Sequence, residues 1–160
     1  MEVTGYKCFK PDMINNYGKK FSVGKIYVTS NALKQGLNGN GFHMCKNIED
    51  TFRFFDTSKF DINVCKVIGR GNIIEFSDEY NGYYDMYCVE KLEIEKMLSR
   101  EELINIGLTL NEIRAERFVS TLSLKPDEIK LFKERYKKYN NILKAIAYYQ
   151  ENDKDVYYRK

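Results

Sequence analysis

The order of the local patterns along the chain is the feature that most constrains its fold. Strand-like patterns fill the chain up to about residue 98, and helix-like patterns fill it from Ser99 onward. The strand-like stretches are TGYKCFK (4–10), KKFSVGKIYVTS (19–30), GFHMC (41–45), FDINVCKVIG (60–69), GNIIEFS (71–77) and YDMYCVEKLEIEKML (84–98). Because strands come first and helices second, a parallel βαβ arrangement is disfavoured. We therefore predict an α+β fold with a small, mostly antiparallel sheet.

Three details of the sheet can be read from its glycines and apolar residues. Gly24 and Lys25 divide the 19–30 stretch, which predicts a tight hairpin or a bulged strand. Gly69-Arg70-Gly71 predicts a break between two strands. The 84–98 stretch begins as a strand and can stay extended through Leu92 and Ile94.

One helix is predicted inside the strand-rich part, over about 47–56. Asn47 followed by Asp50 resembles a helix N-cap with an acidic residue at the third helical position. Apolar or small side chains follow at helical spacing, at Ile48, Thr51, Phe52 and Phe55. The stretch 39–56 therefore reads as a glycine-rich loop, a strand and a capped helix.

The remaining chain carries three helix start signals. Ser99–Glu102 and Thr109–Glu112 each have the spacing of a capping box, and Pro126 suits the first position of a third helix. The third helix either continues to about Glu151 or breaks at Asn140-Asn141. We predict a β-rich domain over 1–98 and a helical extension over 99–160, packed together as one structural unit.

Composition limits the classes of function only weakly. The net charge is +3, from 26 basic and 23 acidic residues, which by itself is too small to indicate nucleic-acid binding. The N-terminal residues have no apolar segment of the kind found in secretion signals, and no apolar run approaches 18 residues. The sequence therefore predicts a protein without a secretion signal or a membrane partner.

The four cysteines are widely spaced and form no CxxC pair. They are Cys8, Cys45, Cys65 and Cys88, each in an apolar, strand-like setting. We expect reduced thiols buried in the core and no metal site, and reduced thiols predict a cytoplasmic location.

His43 is the only histidine in the chain and precedes Cys45 by two residues. On a strand the two side chains share one face, so they could bind a metal or act as nucleophile and base. A single His with a single Cys is two ligands short of a metal site. A structural histidine that hydrogen-bonds a backbone carbonyl is the more ordinary interpretation.

Two surfaces are candidates for macromolecular binding. The first is an acidic, tyrosine-rich segment, and tyrosine gives a large contact area at low entropic cost. Its residues are Asp78, Glu79, Tyr80, Tyr83 and Tyr84. The second is the basic side of the last helix, which could bind nucleic acid through Lys133, Lys137 and Lys138. These lysines also fit an ordinary solvated face.

Three blocks resemble, in order, a domain family of unknown function that is common in bacteriophages and mobile elements. They are GYKCF (5–9), VGKIY (23–27) and GFHMCKNIEDTFRFF (41–55), with LSREEL (98–103) at the end. The resemblance spans about residues 4–104 and departs where Phe54-Phe55 replaces a tyrosine pair. It implies a phage-type protein without an assigned activity or cofactor. We expect such a protein to bind a host protein or ribonucleoprotein, for example to inhibit a defence system such as a CRISPR nuclease.

A more distant resemblance is to ADP-ribosyltransferase-like folds. It rests on Tyr6-Lys7, on the strand Gly41–Met44 and on Phe54-Phe55 at the end of the next helix. The resemblance implies an NAD-dependent enzyme in which Lys7 and His43 contact NAD and a late glutamate polarises the ribose. Lys7 stands where that family has Arg or His. Candidates for the glutamate are Glu75, which we take first, and then Glu79, Glu90 and Glu93.

Overall fold

The computed structural model describes residues 1–36, 39–59, 61–78 and 84–151. The chain forms two compact units, each assembled from two stretches of sequence. The first combines Met1–Thr51 with Ile62–Leu98, and the second combines Phe52–Asp61 with Ser99–Lys160. Strands build the first unit and α-helices the second, so the predicted α+β class is confirmed.

The sheet of the first unit is antiparallel at every pairing of its named strands. The strands are β1 (Glu2–Phe9), β2 (Ile26–Val28), β3 (Phe42–Cys45), β4 (Asn63–Asp78) and β5 (Tyr84–Met97). Their order is β2-β5-β3-β1-β4, and β4 also pairs with β5. Four strands therefore form a closed circuit, with β2 attached to β5. The core of this unit consists of Phe9, Phe21, Met44, Cys65, Val67, Val89, Leu92 and Ile94.

The predicted break at Gly69-Arg70-Gly71 is wrong, because β4 is one continuous strand of 16 residues. Its pairing with β5 shifts register between Arg70 and Ile73, where Gly71 adopts a φ of +80°. A bulge of this kind absorbs extra residues without ending the ladder. The Arg70 guanidinium lies 2.8 Å from Glu2 and 3.0 Å from Glu93, carboxylates of the two neighbouring strands.

The 19–30 stretch does not pair with itself as a hairpin. A turn at Ser22–Lys25 precedes β2, with a φ of +84° at Gly24. Gly24 N donates to Ile94 O of β5 at 2.7 Å, and Tyr27 pairs with Leu92. The partner of β2 is thus the distant β5, which a local pattern could not indicate.

The inserted helix predicted over about 47–56 is two short 3₁₀ turns, Ile48–Asp50 and Phe52–Phe54, rather than one capped α-helix. Asn47 is extended and makes no side-chain cap. Thr51 Oγ1 donates to Ile48 O at 2.7 Å and accepts a hydrogen bond from Cys8 Sγ at 2.9 Å. A threonine that bonds the backbone three residues earlier competes with α-helical pairing, which explains the tighter turn.

The α-helices of the described residues all lie in the second unit. They are α1 (Arg100–Gly107), α2 (Glu112–Thr121), α3 (Pro126–Arg135) and α4 (Asn140–Ile146), followed by a π-helical turn at Ala147–Glu151. None of the helices in the described part of the chain combines the length and the apolar character that crossing a membrane requires.

Two of the three predicted helix starts are confirmed. Ser99 makes a reciprocal capping box with Glu102, and Pro126 opens α3. The predicted box at Thr109 is wrong, because Asn111 caps α2 by accepting from Arg114 N. The last helical stretch breaks, since α3 ends at Arg135 and α4 begins at Asn140.

A row of aromatic rings forms the core of the second unit. Phe52 meets Phe118 edge-on at 5.2 Å, and Phe118 stacks on Phe132 at 5.4 Å. Phe132 in turn stacks on Tyr136 at 6.1 Å. The Tyr136 hydroxyl lies 2.8 Å from the carbonyl oxygens of Gly107 and of Leu110, so its polar end is satisfied.

Candidate functional site

Lys7 and His43 lie on adjacent strands, as a shared site would require. β1 and β3 pair at Tyr6 and Cys45. Beyond that pair, the Lys7 ammonium donates to the backbone oxygen of His43 at 2.6 Å. Burial lowers the pKa of the Lys7 amine, while the thiols of Cys45, Cys8 and Cys88 act in the opposite direction. Through the hydrogen bond from its side chain to the His43 carbonyl, Lys7 joins β1 to β3.

The His43 imidazole is half-buried and contacts Gly36 and Phe76. Nε2 accepts a hydrogen bond from Gly36 N at 3.1 Å. The ring also meets Phe76 edge-on, with 5.9 Å between centroids. Met44, the next residue, belongs to the core cluster on the other face of β3.

Glu75 faces away from His43. It follows the alternation of β4, so it faces away from the side on which Phe76 meets His43. Its carboxylate is paired with Lys46, and its side chain is 63% exposed. Of the other late glutamates, Glu93 pairs with Arg70 and Glu90 accepts from Asn72 N at 2.9 Å; Glu79 lies outside the described residues.

The four cysteines are free and buried, as predicted. Burial raises the pKa of Cys65 to about 12, and burial also raises the pKa of Cys8. Such thiols stay protonated near neutral pH and are poor nucleophiles. Within residues 1–36, 39–59, 61–78 and 84–151, no three side chains of His, Cys, Asp or Glu come together as metal ligands.

The acidic, tyrosine-rich segment connects the two longest strands. Asp78 and Tyr84 are Cα partners at the end of the β4–β5 ladder. The neighbouring pair in the ladder is Ser77↔Asp85, in which Ser77 Oγ donates to Asp85 Oδ1 at 3.1 Å. The other predicted members of this surface, Glu79, Tyr80 and Tyr83, lie outside the described residues.

The sheet that carries these residues corresponds to a known family. A family model described as Domain of unknown function (DUF7666) matches residues 3–106, well over half of the chain. The chain belongs to the DUF7666 family. No curated protein and no solved structure matches it. The match agrees with the expected domain of unknown function and assigns no activity.

The DUF7666 region contains a cluster that the sequence did not reveal. The Lys19 ammonium lies over three aromatic rings, those of Phe21, Tyr27 and Phe42. The rings come from a loop, from β2 and from β3, so no local spacing connects them. Tyr27 belongs to the VGKIY block and Phe42 to the GFH block. Membership of these blocks is the sequence signal that could have pointed to the cluster.

The lysines proposed for nucleic-acid binding lie outside the DUF7666 match, and they do not share one helix. Lys133 is on α3, whereas Lys137 and Lys138 follow its end at Arg135. Lys133 pairs with Glu151 at 2.7 Å, and Lys137 pairs with Glu134 at 2.9 Å. These carboxylates offset much of the positive charge that a phosphate backbone would meet.

Nucleic-acid binding through these lysines stays a prediction, and heparin chromatography tests it. Since two of the three lysines are paired, we expect any retention to be weak and to end below about 0.2 M salt. Changing Lys133, Lys137 and Lys138 together to glutamine should then leave the elution salt almost unchanged. Strong retention that this triple variant abolishes would instead establish the basic surface.

Proposed function

We propose that this DUF7666 protein acts in the cytoplasm by binding a host macromolecule through the segment that joins β4 and β5. The observation that carries the proposal is the length of the β4–β5 ladder, which extends from Cys65↔Met97 to Asp78↔Tyr84. A ladder of this length fixes the backbone positions of Asp78 and Tyr84, the two residues that it pairs last before the connecting segment. Binding residues are often carried in this way, on loops positioned by a rigid scaffold.

The chemistry of that segment suits recognition of a basic surface. Acidic residues flank it at Asp78, Glu79 and Asp85, and tyrosines stand between and beside them. Tyrosine supplies rigid contact area, and the carboxylates complement cationic groups on a partner. A nuclease that grips nucleic acid presents such a basic surface.

The host context rests on the family pattern described from the sequence, which is common in bacteriophages and mobile elements. Inhibition of a host defence nuclease, such as a CRISPR nuclease, is the form of binding that fits both this context and an acidic, tyrosine-rich segment. The partner is then a protein or a ribonucleoprotein, and no cofactor is needed.

The contacts of the candidate catalytic residues support binding over NAD-dependent ADP-ribosyl transfer. The Lys7 ammonium is engaged by the His43 carbonyl, and Glu75 is engaged by Lys46. A transferase would need the carboxylate to face the same cleft as Lys7 and His43. Glu75 faces away from the side of β4 on which Phe76 meets His43.

Replacing Tyr80, Tyr83 and Tyr84 together by serine tests the proposal. We expect partner capture from host lysate to fall at least about tenfold, because aromatic anchors dominate protein interfaces. The urea midpoint should stay close to that of the wild type. Capture is quantified by mass spectrometry against immobilised wild-type protein.

The matched control is the double variant Tyr17→Ser, Tyr148→Ser, which removes two exposed tyrosines elsewhere. It should capture partner as the wild type does. Undiminished capture by the triple variant would contradict the assigned surface. Micromolar NAD binding by calorimetry, lost in His43→Ala, would contradict the proposed function itself and favour the transferase.

A further inference from the structure

Three aromatic rings in the first unit converge on one cation. The Nζ atom of Lys19 lies 5.3 Å from the ring centroid of Phe21, 5.3 Å from that of Tyr27 and 5.1 Å from that of Phe42. The rings are mutually inclined by 59°, 83° and 57°. They form three walls around a single point rather than a flat stack.

The walls of this cage are fixed by the fold. Phe21 is 2% exposed and belongs to the core, and Tyr27 and Phe42 pack against the same core cluster. The Tyr27 hydroxyl accepts from Ser22 N at 2.7 Å, which fixes the ring at its far end. The cage is therefore preorganised, a condition that lowers the cost of binding.

Lys19 is exposed, and its backbone is hydrogen-bonded to Asn15. Its N–H donates to Asn15 Oδ1 at 2.9 Å, and its carbonyl accepts from Asn15 N at 2.9 Å. The tight turn between them includes Gly18 at a φ of +83°. An exposed lysine side chain changes rotamer within nanoseconds, so the cage can open without any backbone movement.

The dimensions of the cage also accommodate a methylated nitrogen. A methyl carbon sits about 1.5 Å from its nitrogen and touches a ring face at about 3.5 to 4.0 Å. A methylated nitrogen thus rests about 5 Å from each ring centre, which agrees with the distances of 5.1 to 5.3 Å seen for Nζ. A bare ammonium is also strongly hydrated and gives up more water on entering.

We propose that Phe21, Tyr27 and Phe42 form a binding cage for a trimethylammonium group and that Lys19 occupies it when no ligand is bound. Aromatic cages of this kind recognise choline-type headgroups and methylated lysine side chains through the same chemistry. Lys19 acts as an internal competitor, so the apparent affinity is reduced by the fraction of molecules in which it fills the cage. The cage goes beyond the proposed function, since it shares no residue with the β4–β5 segment.

Titration with tetramethylammonium chloride, followed through the NMR signals of the three rings, tests the cage. Sodium chloride at equal concentration serves as the ionic control. We expect Lys19→Ala to bind the probe about fivefold more tightly than the wild type, since it removes an exposed cation–π competitor. Lys19→Gln, which keeps a long polar side chain, should behave in the same way.

The matched control is Lys20→Ala, at the neighbouring exposed lysine, which should bind as the wild type does. Adding Phe42→Leu to Lys19→Ala removes one wall and should weaken binding at least about fivefold, with circular dichroism confirming that the variant is folded. Equal binding by the wild type and Lys19→Ala, or ring shifts no larger than those in sodium chloride, would overturn the proposal.

The source of the trimethylammonium group is distinguished with Lys19→Ala by comparing choline with a peptide that carries trimethyl-lysine. Tighter binding of choline assigns the cage to a small headgroup. Tighter binding of the peptide, relative to its unmethylated form, assigns it to a modified protein. If neither binds more tightly than ammonium chloride, the cage is not a receptor for this chemistry.

Discussion

Gly5→Ala is expected to lower the free energy of unfolding of the first unit by about 3 kcal/mol. A Cβ atom on Gly5 would lie 2.3 Å from the Cys45 carbonyl oxygen and 2.8 Å from Met44 Cε. The methionine can move, but the carbonyl belongs to β3 beside the pair Tyr6↔Cys45. Relief of the clash therefore requires the two strands to separate.

The sign of this effect is informative, because Gly→Ala usually stabilises a protein where alanine fits, by about 0.4 to 1 kcal/mol. Urea unfolding followed by far-UV circular dichroism measures the difference. Thr4→Ala, at an exposed position of the same strand, is the control and should change stability by less than about 0.5 kcal/mol. A Gly5→Ala protein as stable as the wild type would show that β1 and β3 do not approach as closely as described.

Glu128→Ala is expected to destabilise the second unit by about 3 kcal/mol. Arg100 donates to both carboxylate oxygens of Glu128, at 2.9 and 2.6 Å, and also to Ser123 O at 2.8 Å. Glu128 further accepts from Lys125 N at 2.8 Å, which caps α3. Its side chain is 7% exposed and that of Arg100 is 33% exposed. Removal of the carboxylate leaves the guanidinium and the helix start without their shared acceptor.

The same carboxylate predicts a dependence of stability on pH. Burial opposes ionisation of Glu128, but hydrogen bonds from Arg100 and from Lys125 N outweigh it and hold the pKa below the ordinary 4.5. The unfolded chain thus takes up this proton more readily than the folded chain. The contribution is complete above pH 4.5 and is lost as the pH falls through the folded pKa.

Glu128→Gln separates this charge effect from packing. It should be less stable than the wild type by about 2 kcal/mol at pH 7, and the difference should shrink as the pH falls below 4.5. Glu134→Gln is the control, since it breaks the exposed pair with Lys137 and should cost less than about 1 kcal/mol. A difference between wild type and Glu128→Gln that does not change with pH would remove the assigned role of the charge.

Features that depend on near neighbours in the chain were predictable. The Ser99 capping box and the start of α3 at Pro126 are set by residues within one helical turn of each other. The strand at GFHMC and the extension of β5 through Leu92 and Ile94 follow from alternation alone. The burial of the four free thiols likewise follows from their apolar settings.

The errors arose where a distant partner decides the local structure. β4 continues through Gly69-Arg70-Gly71 because β5 offers partners on both sides of the bulge. The predicted α-helix at 47–56 becomes 3₁₀ turns where Thr51 bonds both Ile48 O and the Cys8 thiol, 43 residues away. Neither partner is visible within a window of the sequence.

The sequence by itself therefore determined the α+β class, the order of strands and helices and the main helix starts, because propensity, alternation and capping act over a few residues. Only the tertiary structure decided the closed circuit of strands, the bond from Lys7 to the His43 carbonyl and the pairing of Glu75 with Lys46. The tertiary structure also brought Lys19 to the rings of Phe21, Tyr27 and Phe42. Each of these features brings together residues that are far apart in the chain. Which residues become neighbours depends on strand pairing and register.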